Sequence, residues 1–311
     1  MIVEPVIVIS GPTASGKSGL ADALAKHLCT DVLSCDSMQV YRGMDIGTAK
    51  TPVSERLVPL RLIDLVDPGE AYSAALYQKD ARCEIERLRA HGKHAVLCGG
   101  TGLYVRAALD FMSFPHGETD GEERSRYNLL AQKLGPEGIH AYLQKRDPAS
   151  ASLIHPNNVR RVVRALEMLD EGVSYAEQSS GFKTPRELYP QLIFALTMDR
   201  DRLYDRINRR VDLMLDMGLL TEVKGLVESG FSDALTAMQA IGYKELIDYL
   251  NGRCSLGEAV DLIKQRSRRY AKRQLSWWRR DERTIWLDMD ELSFESALEL
   301  VLERLDGYER T

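Results

Sequence analysis

The stretch Gly11-Pro12-Thr13-Ala14-Ser15-Gly16-Lys17-Ser18 matches G-x-x-x-x-G-K-[ST], and no other segment constrains this chain as much. Ahead of it, Val6 to Ser10 is a short apolar run rich in β-branched residues, the pattern of a central strand in a parallel sheet. Behind it, Leu20, Leu24 and Leu28 recur every four residues with Ala21 and Ala25 beside them, which puts an apolar stripe on a helix starting near Lys17. A strand, a tight glycine turn and a helix N-terminus together point backbone N–H groups at one place, where an anion binds. Lys17 adds a full charge there, and Ser18 can hold Mg²⁺. The loop alone does not distinguish ATP from another phosphate compound.

Further strands are expected at Val32 to Cys35, Leu62 to Val66 and Ala95 to Cys98, with a helix between them whose stripe is Tyr77, Ala81, Ile85 and Leu88. Strands alternating with helices predict a parallel α/β sheet. From about Phe111 to Tyr189 the strand signals stop, Pro115, Gly117, Gly135 and Pro136 mark turns, and helical periodicity takes over. One more strand is expected at Leu192 to Leu196, then a helix from Arg202 to Met217 closed by Gly218. A helix opening at Ser255, three residues before Glu258, has a capping-box pattern; a last strand at Thr284 to Leu287 and a last helix at Ser293 to Leu305 follow. The expected fold is a P-loop NTPase-like α/β core of residues 1–110 and 191–311, interrupted by an α-helical insertion over 111–190.

Composition decides two points. The 311 residues are 44% hydrophobic and 28% charged, which excludes a disordered or membrane-spanning chain and leaves room for a sizeable core. The net charge of −5 does not suggest a nucleic-acid binder, but the nine basic and two acidic residues from Lys264 to Arg283 make a local +7. That asymmetry points to a polyanionic partner at one place. The cluster is interleaved with Tyr270, Trp277 and Trp278, a mixture suited to phosphate contact and base stacking, although either tryptophan could equally be core. Five cysteines without a Cys-x-x-Cys pair argue for neither disulfides nor zinc and fit a cytoplasmic protein. Val6 to Ile9 is too short for a signal peptide, and no membrane association is expected.

Asp36 falls at the carboxyl end of the second strand, the edge of an open parallel sheet where ligands bind, although an Asp there also caps a turn with Ser37. Gly99-Gly100-Thr101-Gly102-Leu103-Tyr104 lies at the same edge, with Thr101 as a hydroxyl donor or a helix N-cap. The strand before it ends in glycines rather than an acidic residue, which disfavours a motor ATPase or an NTP-switched RNA-binding protein. A small-molecule kinase would share the phosphate loop but leave the +7 segment unexplained.

Six segments in order resemble the bacterial tRNA dimethylallyltransferase family. They are the phosphate loop, Asp36 to Tyr41 with Met44 to Lys50, Gly99 to Tyr104, Arg164 to Glu167, Ile241 to Glu245, and Ala271 to Gln274. Ser18 and Ser276 stand where the family often has Thr, and Asn158 where it usually has Asp. A free-nucleotide isopentenyltransferase is the near alternative; the insertion and the basic segment favour tRNA.

The resemblance implies that the loop binds the diphosphate of dimethylallyl diphosphate, with Arg206 and Arg210 near it. The acceptor is then the exocyclic N6 of the adenosine 3′-adjacent to a tRNA anticodon, a single-stranded base that leaves its stack at a small cost. Asp36 is the expected base and Thr101 a ligand of the diphosphate. Asp36, Ser37, Met38 and Gln39 would line the passage for the flipped base. Arg160, Arg161, Val162, Val163 and Arg164, with Lys272 and Arg273, would grip the anticodon stem-loop. Mg²⁺ is the expected cofactor and a monomer the expected state.

Overall fold

The computed structural model describes residues 4–114, 122–181, 185–231 and 237–309, so the turn predicted at Pro115 and Gly117 lies outside the described residues. The first part of the chain runs β1 (Val6–Ser10), α1 (Lys17–His27), β2 (Val32–Ser34), β3 (Leu60–Arg61), α2 (Ala74–Ala90), β4 (Val96–Cys98) and α3 (Gly102–Leu109). Four helices follow: α4 (Glu122–Arg146), α5 (Pro148–Leu153), α6 (Val159–Asp170) and α7 (Tyr175–Gly181). The last part is β5 (Gln191–Thr197), α8 (Arg200–Asp216), α9 (Leu219–Leu226), α10 (Tyr243–Leu250), α11 (Leu256–Trp278), β6 (Thr284–Asp288) and α12 (Phe294–Glu309).

Two compact units result. One comprises the described residues up to Tyr72, Leu76–Leu109 and those from Glu187 onward; the other comprises Ser73–Ala75 and Asp110–Arg186. In the first, six parallel strands are ordered β3-β2-β4-β1-β5-β6. Parallel pairing requires crossovers, and the helices that supply them cover the sheet. Every residue of β1 is buried, as its unbroken apolar run predicts. Leu20, Ala21, Leu24 and Ala25 of α1 pack with Ile7, Ile9, Val96, Phe194 and Leu196, and with Ala297, Val301 and Leu305 of α12. The α2 stripe of Tyr77, Ala81, Ile85 and Leu88 is fully buried. Gly218, at φ 100°, separates α8 from α9, and Ser255 and Glu258 form the predicted capping box of α11.

The third strand departs from expectation. It occupies Leu60–Arg61 rather than Leu62 to Val66, because Leu62 (φ 61°) and Asp64 (φ 54°) are left-handed and cannot continue a strand. Beyond them Val66 makes only an isolated bridge with Tyr41.

The second unit is helical. Gly135, at φ 70°, breaks α4 and Pro136 restarts it, the turn those residues predict. Tyr127, Ala131, Ile139 and Leu143 of α4 pack against Ala151, Val162, Val163 and Leu166. Asn158 caps α6 by accepting from Arg161 N–H at 3.3 Å.

Candidate active site

The phosphate loop connects β1 to α1 through Gly11 (φ 139°), Ala14 (φ 64°) and Gly16 (φ 99°). Gly11 is required twice over: its φ excludes a side chain, and a Cβ there would lie 3.0 Å from the Leu196 carbonyl oxygen. Neighbours tie down the loop carbonyls, with Lys17 Nζ donating to Pro12 O at 3.1 Å and Arg206 Nε to Ala14 O at 2.8 Å. The Ser15 hydroxyl is buried without a hydrogen-bond partner among the described residues. An orphaned donor inside an anion-binding loop suits a phosphate oxygen. Thr13 lends its N–H to Gln274 on α11 at 3.0 Å.

Lys17, Arg206 and Arg210 form one positive cluster. Burial lowers the Lys17 pKa, the Arg210 charge acts in the same direction, and Cys98 and Asp36 oppose them. Burial likewise lowers Arg210, with Asp36 opposing and Arg206 adding to the effect. Cations desolvated side by side are a poor arrangement by themselves and a good one around a polyanion. Asp205 and Asp212, the carboxylates of α8 near these arginines in sequence, are engaged elsewhere: Asp205 pairs with Arg209 at 2.5 Å and Asp212 with Lys264 at 2.6 Å.

Asp36 follows β2 and Thr101 precedes α3, so the sheet brings them to the same edge. Asp36 Oδ1 accepts from Met38 N–H at 2.9 Å, the turn cap anticipated from sequence, and Oδ2 carries no hydrogen bond among the described residues. The turn therefore fixes the carboxylate while leaving an oxygen for chemistry. Thr101 Oγ1 accepts from Ser37 N–H at 3.1 Å rather than from its own helix, and its hydroxyl donates to Ser37 Oγ at 3.4 Å. Burial first, then the Asp36 charge, push the Tyr270 phenol up to about 12. Met38 is half-buried beside this turn, whereas the Gln39 amide is committed to Ser34 Oγ at 2.7 Å and to the Thr48 carbonyl at 3.1 Å.

The sequence reading gives Gln274 no role and Tyr270 only a place among residues suited to base stacking, not one at the glycine loops. They lie one turn apart on α11, and that i, i+4 spacing inside a basic segment was the available signal. Gln274 spans both glycine loops, accepting from Thr13 N–H and donating to the Gly100 carbonyl at 3.1 Å.

The basic segment divides. Lys264 pairs with Asp212, Arg266 with Glu245 and Arg283 with Asp281, while Arg268 bonds Asn208. Arg269, Lys272, Arg273, Arg279 and Arg280 are exposed and carry no ion pair among the described residues. Trp278 is core at 0% exposure; Trp277 is 36% exposed and stands against Gly102, where a Cβ would lie 2.0 Å from its Nε1.

In the helical unit only part of the α6 run faces outward. Arg160 and Arg161 are exposed, but Val162 and Val163 are core, so their side chains are unavailable to RNA. Arg164 bonds Glu167 at 3.2 Å, the same carboxylate that Arg124 grips at 2.6 and 2.9 Å.

The sequence matches the profile of the family described as IPP transferase across residues 39–281. The chain belongs to that family. The tRNA dimethylallyltransferase of Carboxydothermus hydrogenoformans is 45% identical over 303 residues, covering 96% of each chain. That of Bacillus velezensis is 48% identical, covering 92% of this chain and 91% of the relative. Among solved structures, the full-length tRNA isopentenylpyrophosphate transferase of Bacillus halodurans superposes with a TM-score of 0.74 at 42% identity, covering 99% of this chain and 97% of the other. A eukaryotic dimethylallyltransferase acting on tRNA gives 0.79 at 28% identity, with 98% and 80% covered. This IPP transferase family member has no described helix long and apolar enough to cross a membrane.

Proposed function

We propose that this chain transfers the dimethylallyl group of dimethylallyl diphosphate to N6 of the adenosine 3′-adjacent to the anticodon in tRNA, releasing diphosphate. The observation that carries the reading is the Asp36 carboxylate beside Lys17, Arg210 and Thr101 at the carboxyl edge of the sheet. Anion-binding groups and a proton acceptor side by side suit substitution at an allylic carbon by a weak amine nucleophile.

In the reaction the allylic C–O bond breaks and a C–N bond forms. Negative charge builds on the departing diphosphate, where loop N–H groups, Lys17, Arg206 and Arg210 stabilise it. The adenine amine is a poor nucleophile because its lone pair is delocalised into the ring. As nitrogen becomes positive its proton turns strongly acidic, so an ordinary carboxylate can take it, and Asp36 receives that proton. Thr101, held by Ser37, presents its hydroxyl to the diphosphate.

Mg²⁺ is part of the proposal. The ion would arrive with the diphosphate, whose oxygens supply most of its ligands, and need one protein oxygen. Ser18 would supply it, and bound Mg²⁺ neutralises diphosphate charge. Arg160 and Arg161 on the helical unit, and Lys272 and Arg273 on α11, are the proposed RNA contacts. The free, exposed Cys29 and Cys83 support a reducing, cytoplasmic setting. A monomer is the proposed state.

The test is direct. Purified protein is incubated with labelled dimethylallyl diphosphate and unmodified tRNA; label in the RNA supports the proposal, and phosphate transfer from ATP without such label contradicts it.

A further inference from the structure

Two segments that the mechanism above leaves without a role, Met44 to Lys50 and Ile241 to Glu245, meet at Glu222 of α9. Its Oε2 accepts from the backbone N–H groups of Asp45 at 3.0 Å and Ile46 at 2.7 Å, and its Oε1 from that of Gly47 at 3.2 Å. Oε1 also accepts from the Tyr243 hydroxyl at 2.5 Å. The approach is so close that residue 47 has no room for a side chain, since a Cβ would lie 2.4 Å from Cε2 of the Tyr243 ring. Burial and then the Glu222 charge push the Tyr243 phenol far up, which keeps it a donor. Four donors thus converge on one carboxylate, a group that only accepts.

From this anchor a chain of hydrogen bonds runs to the proposed base. The Thr48 carbonyl accepts from Gln39 Nε2 at 3.1 Å, Gln39 Oε1 accepts from Ser34 Oγ at 2.7 Å, and Ser34 Oγ accepts from the backbone N–H of Asp36 at 3.3 Å. Lys50 Nζ closes the same loop from its other side, donating to the Tyr41 carbonyl at 2.6 Å and to the carboxylates of Asp45 at 2.7 Å and Asp64 at 2.6 Å. Both ends of each linking side chain are committed, so a shift at residues 45–47 is passed to the turn that carries Asp36.

We infer that Glu222, with Tyr243, is a positioning residue for the transfer reaction, holding the backbone of Asp45 to Gly47 as the fixed end of a network that sets where Asp36 meets the adenosine amine. Glu222 acts through the loop and not on the reacting atoms. The inference rests on the function proposed above.

A double-mutant cycle under single-turnover label transfer tests it. Glu222→Ala is expected to slow transfer by roughly 10- to 100-fold, as misplacing a reacting group does, with affinity for dimethylallyl diphosphate unchanged. In an Asp36→Asn background the same change is expected to cost less than about 3-fold, because no base remains to be misplaced. Tyr243→Phe keeps the ring against Gly47 and removes one bond. It is expected to give a smaller loss with the same dependence on Asp36, and it carries the test if thermal melting shows that Glu222→Ala does not fold. Equal fold-losses in both backgrounds, or no loss from either variant, would overturn the inference while leaving the proposed function standing. A wild-type chain that moves no label would overturn both.

Discussion

Gln274 fills the space that a side chain on Gly100 would need: a Cβ there would lie 1.8 Å from its Nε2, and that Nε2 instead donates to the Gly100 carbonyl. With Oε1 on Thr13 N–H, one buried amide, 261 residues along the chain from Thr13, joins the phosphate loop to the second glycine loop.

Gly100→Ala must therefore expel the amide and break both bonds. A hydrogen-bonding group left unsatisfied costs about 1–3 kcal/mol, so the melting temperature is expected to fall and the KM for dimethylallyl diphosphate to rise, with tRNA affinity unchanged. Gln274→Ala, which removes the bonds without the clash, should do the same to a smaller extent. A wild-type KM in both variants would mean that the amide does not shape the loop.

Lys17→Ala is expected to lower turnover by at least about 10²-fold, the scale for removing one stabilising charge from a developing anion, and to leave tRNA affinity nearly intact. Filter binding checks the second half. A large loss of tRNA affinity would show the phosphate loop gripping RNA.

The division of the basic segment sharpens a salt experiment. Log affinity for tRNA is expected to fall linearly with log salt, each neutralised phosphate adding about 0.7–0.9 to the slope. Lys272→Ala and Arg273→Ala should flatten that slope, whereas Lys264→Ala should not, because Lys264 pairs with Asp212. Equal slopes in all three variants would remove this face of α11 from the RNA interface.

What was readable from sequence was what is local. The phosphate loop, the α1 and α2 stripes, the break at Gly135 and Pro136 and the Ser255 cap each depend on residues within a few positions of one another. The third strand was misplaced because Leu62 and Asp64, neither of them glycine, are held left-handed by tertiary contacts, among them the Lys50 ion pair with Asp64. The contacts of Gln274 and Glu222 were unreadable for a related reason: their backbone partners lie 174 to 261 and 175 to 177 residues away, respectively. Nor could spacing tell which of two adjacent tryptophans is core, since neighbours on a helix face different ways. The same limit applied to α6, where Val162 and Val163 turn inward and Arg164 turns to Glu167.

The central claim is that Asp36 takes the proton from the adenosine amine, and the single-turnover rate of Asp36→Asn at saturating substrates, followed across a Mg²⁺ titration, tests it most directly. Asn keeps the size and the acceptor that caps Met38 N–H but cannot accept a proton. The account predicts transfer slowed by roughly 10²- to 10⁴-fold at every Mg²⁺ concentration, with binding of both substrates little changed. A near-wild-type rate would reduce Asp36 to its turn cap, and recovery of rate with added Mg²⁺ would make it a metal ligand; either result would contradict the account.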